Sequence, residues 1–135
     1  MWGSTFEQRL AAWTALRDRV RDLPTSNALD EINAWWQRTP WCAYHLHWDD
    51  RPDWPDPWQL LSDNIYCDLA RGLGILYTIT VLDRDDIQDA ELIETEQGNL
   101  VQVQDGKYIL NWGTDLELNT RLQQSKHHIA QREVK

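Results

Sequence analysis

The chain has 135 residues, of which 41% are hydrophobic and 26% are charged, and its formal net charge is −9. This length corresponds to one domain, and the composition excludes a disordered or fibrous protein. The acidic balance opposes binding to nucleic acid or to anionic lipid, since both require clustered lysine and arginine. No apolar run approaches the roughly 20 residues that span a bilayer. We therefore expect a single domain over residues 1–135, with no nucleic acid and no membrane among its partners.

Negative charge and tryptophan are both unevenly distributed along the chain. Residues 48–96, here called the acidic band, carry three arginines against thirteen carboxylates. The chain has nine tryptophans, and six of them fall between positions 35 and 58. The acidic band can be a solvated surface that keeps the protein soluble, or a patch that orients the protein against a basic partner.

Residues 1–39 predict a helical hairpin. The pattern at residues 4–7 is typical of a capping box, and apolar residues then recur at helical spacing. A second helix is expected over about 28–37, with Ser26 or Asn27 as its cap. Because the two helices are separated by only a few residues, they should pack antiparallel.

Residues 41–82 predict a loop rich in tryptophan and proline, followed by a central helix. Alternation of side chains over 41–48 is typical of an extended segment. Three prolines in residues 49–58 restrict their own backbone and that of the preceding residues, so we expect a stiff loop that presents Trp54 and Trp58.

The longest apolar segment, residues 65–82, predicts a central buried helix. A short helix is expected just before it, with Pro57 as its first residue. Gly72 and Gly74 each cost about 0.5–1 kcal/mol relative to alanine inside a helix. They are therefore expected where another part of the molecule packs closely against that turn.

Residues 90–112 predict a small antiparallel meander of about three strands. Its clearest signal is Asp105 followed by Gly106 between two alternating apolar runs, which is typical of a hairpin turn. Residues 113–135 are expected to form a polar tail, with a loose helix and a mobile end. The fold class is therefore α+β, with the helices first and the sheet second.

Cys67 begins the apolar helix, and the N-terminal end of a helix stabilises a thiolate. Residues 66–75 and 98–112 resemble the nucleophile helix and the partner strands of transglutaminase-like and papain-like cysteine enzymes. The resemblance implies a catalytic Cys67 with Asn111 as the orienting residue. Asn99 stands where these enzymes have the histidine that accepts the thiol proton. An enzyme, an inactive relative and a simple buried cysteine are the open interpretations.

Two histidines are candidate metal ligands. His45 and His47 would project side by side from one strand face, with Asp49 and Asp50 close by. The alternative is a pair of exposed histidines beside tryptophan. The sequence contains no glycine-rich phosphate loop and no zinc-protease motif, and we expect no cofactor. Cys42 and Cys67 fit no disulfide or zinc spacing, and residues 1–4 begin no signal peptide, so free thiols in a reducing cytoplasm are expected.

Residues 54–58 have the sequence WPDPW and precede the apolar helix that carries Cys67. This combination is similar to minor virion proteins of tailed bacteriophages. The resemblance implies a neck, baseplate or tail subunit, located in the virion and assembled in the host cytoplasm.

Tryptophan is strongly enriched at the energetic centres of protein interfaces. We therefore expect a non-enzymatic assembly protein whose partners are other protein subunits. The alternatives are a transglutaminase-like cysteine enzyme or its inactive relative, and a small carbohydrate-binding module that stacks sugars on its indole rings. The candidate interface residues are Trp41, Trp48, Trp54, Pro55, Pro57, Trp58 and Trp112.

Overall fold

The structure is a computed structural model that describes residues 2–96, 98–111 and 127–134, and it confirms the α+β class. The α-helices are α1 (Phe6–Val20), α2 (Thr25–Gln37), α3 (Pro57–Asp63) and α4 (Asp68–Leu82), and 3₁₀ helices cover Trp48–Asp53 and Gln131–Val134. The strands are β1 (Glu91–Thr95), β2 (Gly98–Val103), β3 (Tyr108–Leu110) and β4 (His127–Ala130). They form one antiparallel sheet in the order β3-β2-β1-β4. In this part of the chain, no helix has the length and apolar character needed to cross a membrane.

The predicted helical hairpin is present, with small shifts at the helix starts. The Thr5 hydroxyl accepts a hydrogen bond from the Gln8 amide (3.1 Å), and the Gln8 side chain accepts one from the Thr5 amide (3.2 Å). The capping box therefore lies one residue later than the pattern predicted. Helix α2 begins at Thr25, where the Pro24 carbonyl accepts a hydrogen bond from the Ala28 amide (2.9 Å).

The segment over 41–48, predicted to be extended, is not part of the sheet. Its backbone makes a single β-bridge, from Trp41 to Tyr66, and the segment otherwise has no strand structure. Alternation predicts a strand because one face of a strand is usually buried. Here Cys42, Leu46 and Trp48 are partly buried against the core, and their odd-numbered neighbours are exposed. The alternation therefore marks an inner and an outer side of a segment that does not join the sheet.

The predicted tail is wrong for residues 127–134: residues 127–130 form a strand, and residues 131–134, predicted as the mobile end, form a 3₁₀ helix. Strand β4 pairs with β1, and the following Gln131 is buried. The Gln131 amide donates to the Ala90 carbonyl (2.8 Å), while the Gln131 side chain accepts from the Ala90 amide (3.1 Å) and donates to the Ile87 carbonyl (3.2 Å). The loose helix predicted after residue 113 falls mostly outside the described residues.

Helix α4 is the central element, as predicted, and it contacts helices α2 and α3, strands β1 and β2, and the last 3₁₀ helix. The two glycines lie where close packing was expected. A Cβ atom at Gly74 would lie 2.5 Å from the ring of Trp36, and one at Gly72 would lie 2.7 Å from Leu92. The absence of a side chain at Gly74 therefore lets the indole of Trp36 lie flat against the helix.

The hydroxyl of Thr78, buried on α4, joins three helices. It accepts hydrogen bonds from the indole Nε1 atoms of Trp13 on α1 and Trp36 on α2, each at 2.9 Å, and it donates to the Gly74 carbonyl (2.8 Å). Both indoles are buried, and a buried indole N–H without a partner is costly. One oxygen atom thus satisfies the indole N–H groups of two of the tryptophans in the core.

We expect Thr78→Val to destabilise the protein strongly. Each indole N–H left without a partner costs about 1–3 kcal/mol, so the free energy of unfolding should fall by about 2–5 kcal/mol in urea denaturation. Thr80→Val is the matched control, since the Thr80 hydroxyl donates only to the Leu76 carbonyl of the same helix. The control should cost less than about 1 kcal/mol, and equal losses in the two variants would contradict the role given to Thr78.

Candidate functional site

The residues that carried the cysteine-enzyme resemblance lie together at the N-terminus of α4. Cys67 is the N-cap residue of this helix, and Asp68 is in its first turn. Asn99 on β2 and Asn111, one residue after β3, are joined to Asp68 by hydrogen bonds. We call Cys67, Asp68, Asn99 and Asn111 the polar cluster.

Asp68 and Asn99 are the two most closely connected members of the polar cluster. Asp68 Oδ2 accepts hydrogen bonds from the Asn99 backbone amide (2.6 Å) and from Asn99 Nδ2 (3.1 Å). Asn99 Oδ1 accepts a further hydrogen bond from the indole of Trp48 (2.7 Å). Gly98 allows this approach, because a Cβ atom there would lie 2.9 Å from Asp68 Oδ2. Both ends of the Asn99 amide are thus engaged within the protein.

Asn111 connects β2 and β3 to helices α2 and α4. Its Nδ2 donates to the backbone carbonyls of Asn99 (2.7 Å) and Asp68 (3.0 Å), and its Oδ1 accepts from Gln37 Nε2 (2.8 Å). Its backbone amide donates to Asn33 Oδ1 (2.7 Å). Asn111 has φ +66°, a left-handed conformation that asparagine tolerates better than most residues. Asn111 therefore binds backbone carbonyls of β2 and α4 and is itself bound by two side chains of α2.

Burial of the carboxyl raises the pKa of Asp68 above its ordinary value, because the charged form is poorly solvated. The hydrogen bonds from Asn99 and the nearby Arg71 guanidinium act in the opposite direction. Arg71 is itself held by Thr39, to which it donates at Oγ1 (2.9 Å) and at the backbone carbonyl (2.6 Å). Asp68 unites this site, and it was not predicted to do so because a single carboxylate in the first turn of a helix carries no periodic signal.

The Cys67 side chain is only 3% exposed. Within the described ranges, its sulfur accepts one hydrogen bond, from the Leu46 backbone amide at 3.4 Å. A cleft of about 160 Å³ lies beside it, lined by Tyr44, His47, Cys67 and Asn99 among others. His47 bonds the Tyr44 hydroxyl through its ring, and its side chain is exposed.

The polar cluster can hold three elements together, but it lacks a group suited to activating the thiol. A cysteine nucleophile requires a base, and the amide of Asn99 cannot accept a proton near neutral pH. The carboxyl of Asp68 is occupied by Asn99 rather than by Cys67. Asn111, the orienting residue that the resemblance implied, binds backbone carbonyls instead of an imidazole.

The histidine pair proposed as a metal site lies on the exposed segment before the first 3₁₀ helix. His45 and His47 are both exposed. Among the residues that the structure describes, no three histidine, cysteine, aspartate or glutamate side chains are grouped closely enough to hold a metal ion.

The candidate interface residues have very different surroundings. Trp41 and Trp58 are 59% and 53% exposed. Trp48 and Trp54 are partly buried and pack edge to face, with ring centroids 5.2 Å apart. Pro55 is buried, Pro57 is partly buried, and Trp112 lies outside the described residues. Exposed Tyr44 and Val81 were not singled out from the sequence, since a single apolar residue in a loop or at a helix end carries no periodic signal.

No family model, curated protein or solved structure was found to match this chain.

We expect Asp68→Asn to flatten the pH dependence of stability. A raised pKa in the folded state means that the native protein holds this proton more tightly than the unfolded chain does. The stabilising contribution of Asp68 is thus greatest below its ordinary pKa of 3.8 and is lost as the pH rises through the folded-state pKa. In urea unfolding between about pH 4 and 7, the free energy of unfolding should fall less, or rise more, with increasing pH in the variant than in the wild-type protein.

Asn99→Ala provides the opposing control for this measurement. It removes a hydrogen bond that lowers the Asp68 pKa, so the slope should become steeper while the carboxyl is retained. A native slope that persists in Asp68→Asn would show that Asp68 does not contribute to it.

We expect Cys67 to resist alkylation in the folded protein. In Cys42→Ser, iodoacetamide should react with Cys67 about a hundredfold more slowly in buffer than in urea, because the thiol is buried. In folded Cys67→Ser, the partly buried Cys42 should react considerably faster than Cys67 does in folded Cys42→Ser. Rapid labelling of Cys67 near neutral pH, with loss of an amidase or transferase activity, would favour the enzyme instead.

Proposed function

We propose that this chain is a non-enzymatic structural protein that docks to neighbouring subunits, and that it serves in the baseplate, tail or neck of a tailed bacteriophage. The observation that carries the proposal is the exposure of Trp41 and Trp58. The same small domain buries Trp13, Trp35 and Trp36 in its core. Exposed indole rings supply large, rigid contact areas for a partner.

Both exposed rings are attached to an ordered backbone. The Cys42 amide, next to Trp41, donates to the Tyr66 carbonyl (2.9 Å) and ties this segment to the residues just before α4. Trp58 is in the first turn of α3, which is capped by Asp56 through a hydrogen bond from the Gln59 amide (2.8 Å). An interface built on ordered backbone loses less conformational entropy on binding.

The acidic band favours a partner surface of opposite charge. Trp58 belongs to this band, and Trp41 lies a few residues before it. Complementary charge steers two subunits into one orientation and disfavours other pairings. The specific assignment to a virion rests on the resemblance of residues 54–58, followed by the helix of Cys67, to minor virion proteins.

The polar cluster supports a second, compatible candidate, an inactive relative of a transglutaminase-like cysteine enzyme. The specific observation is that Cys67, Asn99 and Asn111 lie together at one helix N-terminus. In such a relative, the residues that once served chemistry would now connect the helix to the sheet.

We expect the chain to be retained in purified virions at a fixed copy number relative to the major capsid protein, measured by quantitative mass spectrometry. Trp41→Ala with Trp58→Ala should reduce incorporation by about tenfold or more, because interface tryptophans contribute about 2 kcal/mol or more each. Ile65→Ala, another exposed apolar side chain, is the matched control and should be incorporated normally.

Folding of the double variant is checked separately. Substitutions at exposed positions should change the free energy of unfolding by no more than about 0.5 kcal/mol each. Absence of the native chain from purified virions, despite its presence in infected cells, would refute the assignment to the particle.

A further inference from the structure

An apolar groove lies between the first turn of α3 and the C-terminal half of α4. We call it the Trp58 groove; its volume is about 560 Å³. Its exposed apolar side chains are Trp58 and Val81, which are 53% and 42% exposed. Tyr77 is nearly buried at its base. The groove is therefore large enough to accept one or two apolar side chains from another protein.

Contacts within the protein hold the walls of the groove in place, so the groove exists before any partner binds. The Tyr77 hydroxyl donates to the Pro55 carbonyl (2.6 Å), which fixes the segment before α3 against α4. Burial, together with the nearby Asp56 carboxylate, raises the pKa of Tyr77 to about 12, so the hydroxyl keeps its proton. Asp83 ends α4 in a left-handed conformation with φ +50°. A groove formed in advance binds with little cost of ordering.

The charge of the groove has one sign. Asp56 lines it beside α3 and Asp83 lines it at the end of α4, and its lining contains no lysine or arginine within the described ranges. A segment that buries an apolar side chain between these carboxylates would gain from carrying positive charge on both sides.

The arginines of the acidic band do not compensate this charge, because each is engaged by other groups. Arg51 pairs with Glu133 (2.9 Å), and Arg71 donates to the Thr39 carbonyl (2.6 Å). Arg84 pairs with Asp86 (2.8 Å).

We propose that the Trp58 groove binds a segment of a partner protein in which an apolar side chain is flanked on both sides by lysine or arginine. This inference rests on the proposed function and adds the chemistry of the partner. Charge complementarity favours such a partner over a second copy of this chain, whose net charge of −9 would oppose association.

The test uses two blocked peptides of about 12 residues with the same Leu-Ile-Leu centre. One carries two lysines on each side of the centre, and the other carries two glutamates. Binding to the full chain is followed by intrinsic fluorescence, with Trp58→Phe used to identify the Trp58 signal. The lysine peptide should bind about tenfold or more tightly than the glutamate peptide, and this preference should shrink between about 50 and 500 mM NaCl.

Two substitutions remove the charge while keeping the local structure. Asp56→Asn retains a good helix cap, and Asp83→Asn retains a residue that tolerates the left-handed conformation. Each should weaken the lysine peptide by about threefold, and together by about tenfold, with little effect on the glutamate peptide. Asp22→Asn and Asp30→Asn, exposed carboxylates outside the groove lining, are the controls.

Three results would overturn the inference. They are equal binding of the two peptides, no binding of the lysine peptide up to about 1 mM, and a Trp58 signal already protected from acrylamide in the free protein. The last result would show that the protein's own chain occupies the groove. Because this assay needs no virion, a chain that is present in particles but shows no charge preference refutes only the chemistry of the partner. A chain absent from particles refutes the proposed function alone.

Discussion

The two hydrogen bonds that the Thr78 hydroxyl accepts from Trp13 and Trp36 are the constraint on which the rest of the structure depends. They fix the rotation of α4 relative to α1 and α2, because a turned helix would leave two buried indole N–H groups without partners. The contact of Trp36 with Gly74 fixes the distance as well. The rotation and distance of α4 also determine which way its first turn faces. Cys67 and Asp68 are thereby placed against the sheet.

The same placement accounts for the hydrogen bonds of the polar cluster. The N-terminus of a helix presents backbone amides and a positive end, a setting that suits a nucleophilic cysteine or a carboxylate. In this protein Asp68 takes that setting and is bound by Asn99, while Asn111 joins the neighbouring carbonyls. At the opposite end of the helix, Tyr77 holds the segment that precedes α3. One helix therefore organises the cluster at its beginning and the Trp58 groove toward its end.

Sequence patterns predicted the parts of the fold whose signals are local. Helical spacing and the apolar run gave α1, α2 and α4, and the cost of glycine inside a helix correctly indicated close packing at Gly72 and Gly74. The patterns failed where distant residues decide the structure. Strand β4 is short and polar in sequence, and it is a strand only because β1 offers it an edge. A link between Cys67, Asn99 and Asn111 was implied only by the resemblance. The hydrogen bonds from Trp48 and Gln37 that complete the cluster join residues up to 74 positions apart, which no local pattern predicts.

The pairing of β4 with β1 has a consequence for the order in which the protein folds. The β1–β2 hairpin is local in sequence, but β1 must wait for a strand that begins more than 30 residues further along the chain. Closing so long a loop is entropically costly and slow compared with forming a hairpin. During that interval one edge of β1, which carries buried Leu92 and Ile93, stays open to pairing with other chains. We therefore expect incompletely folded molecules to self-associate through this edge.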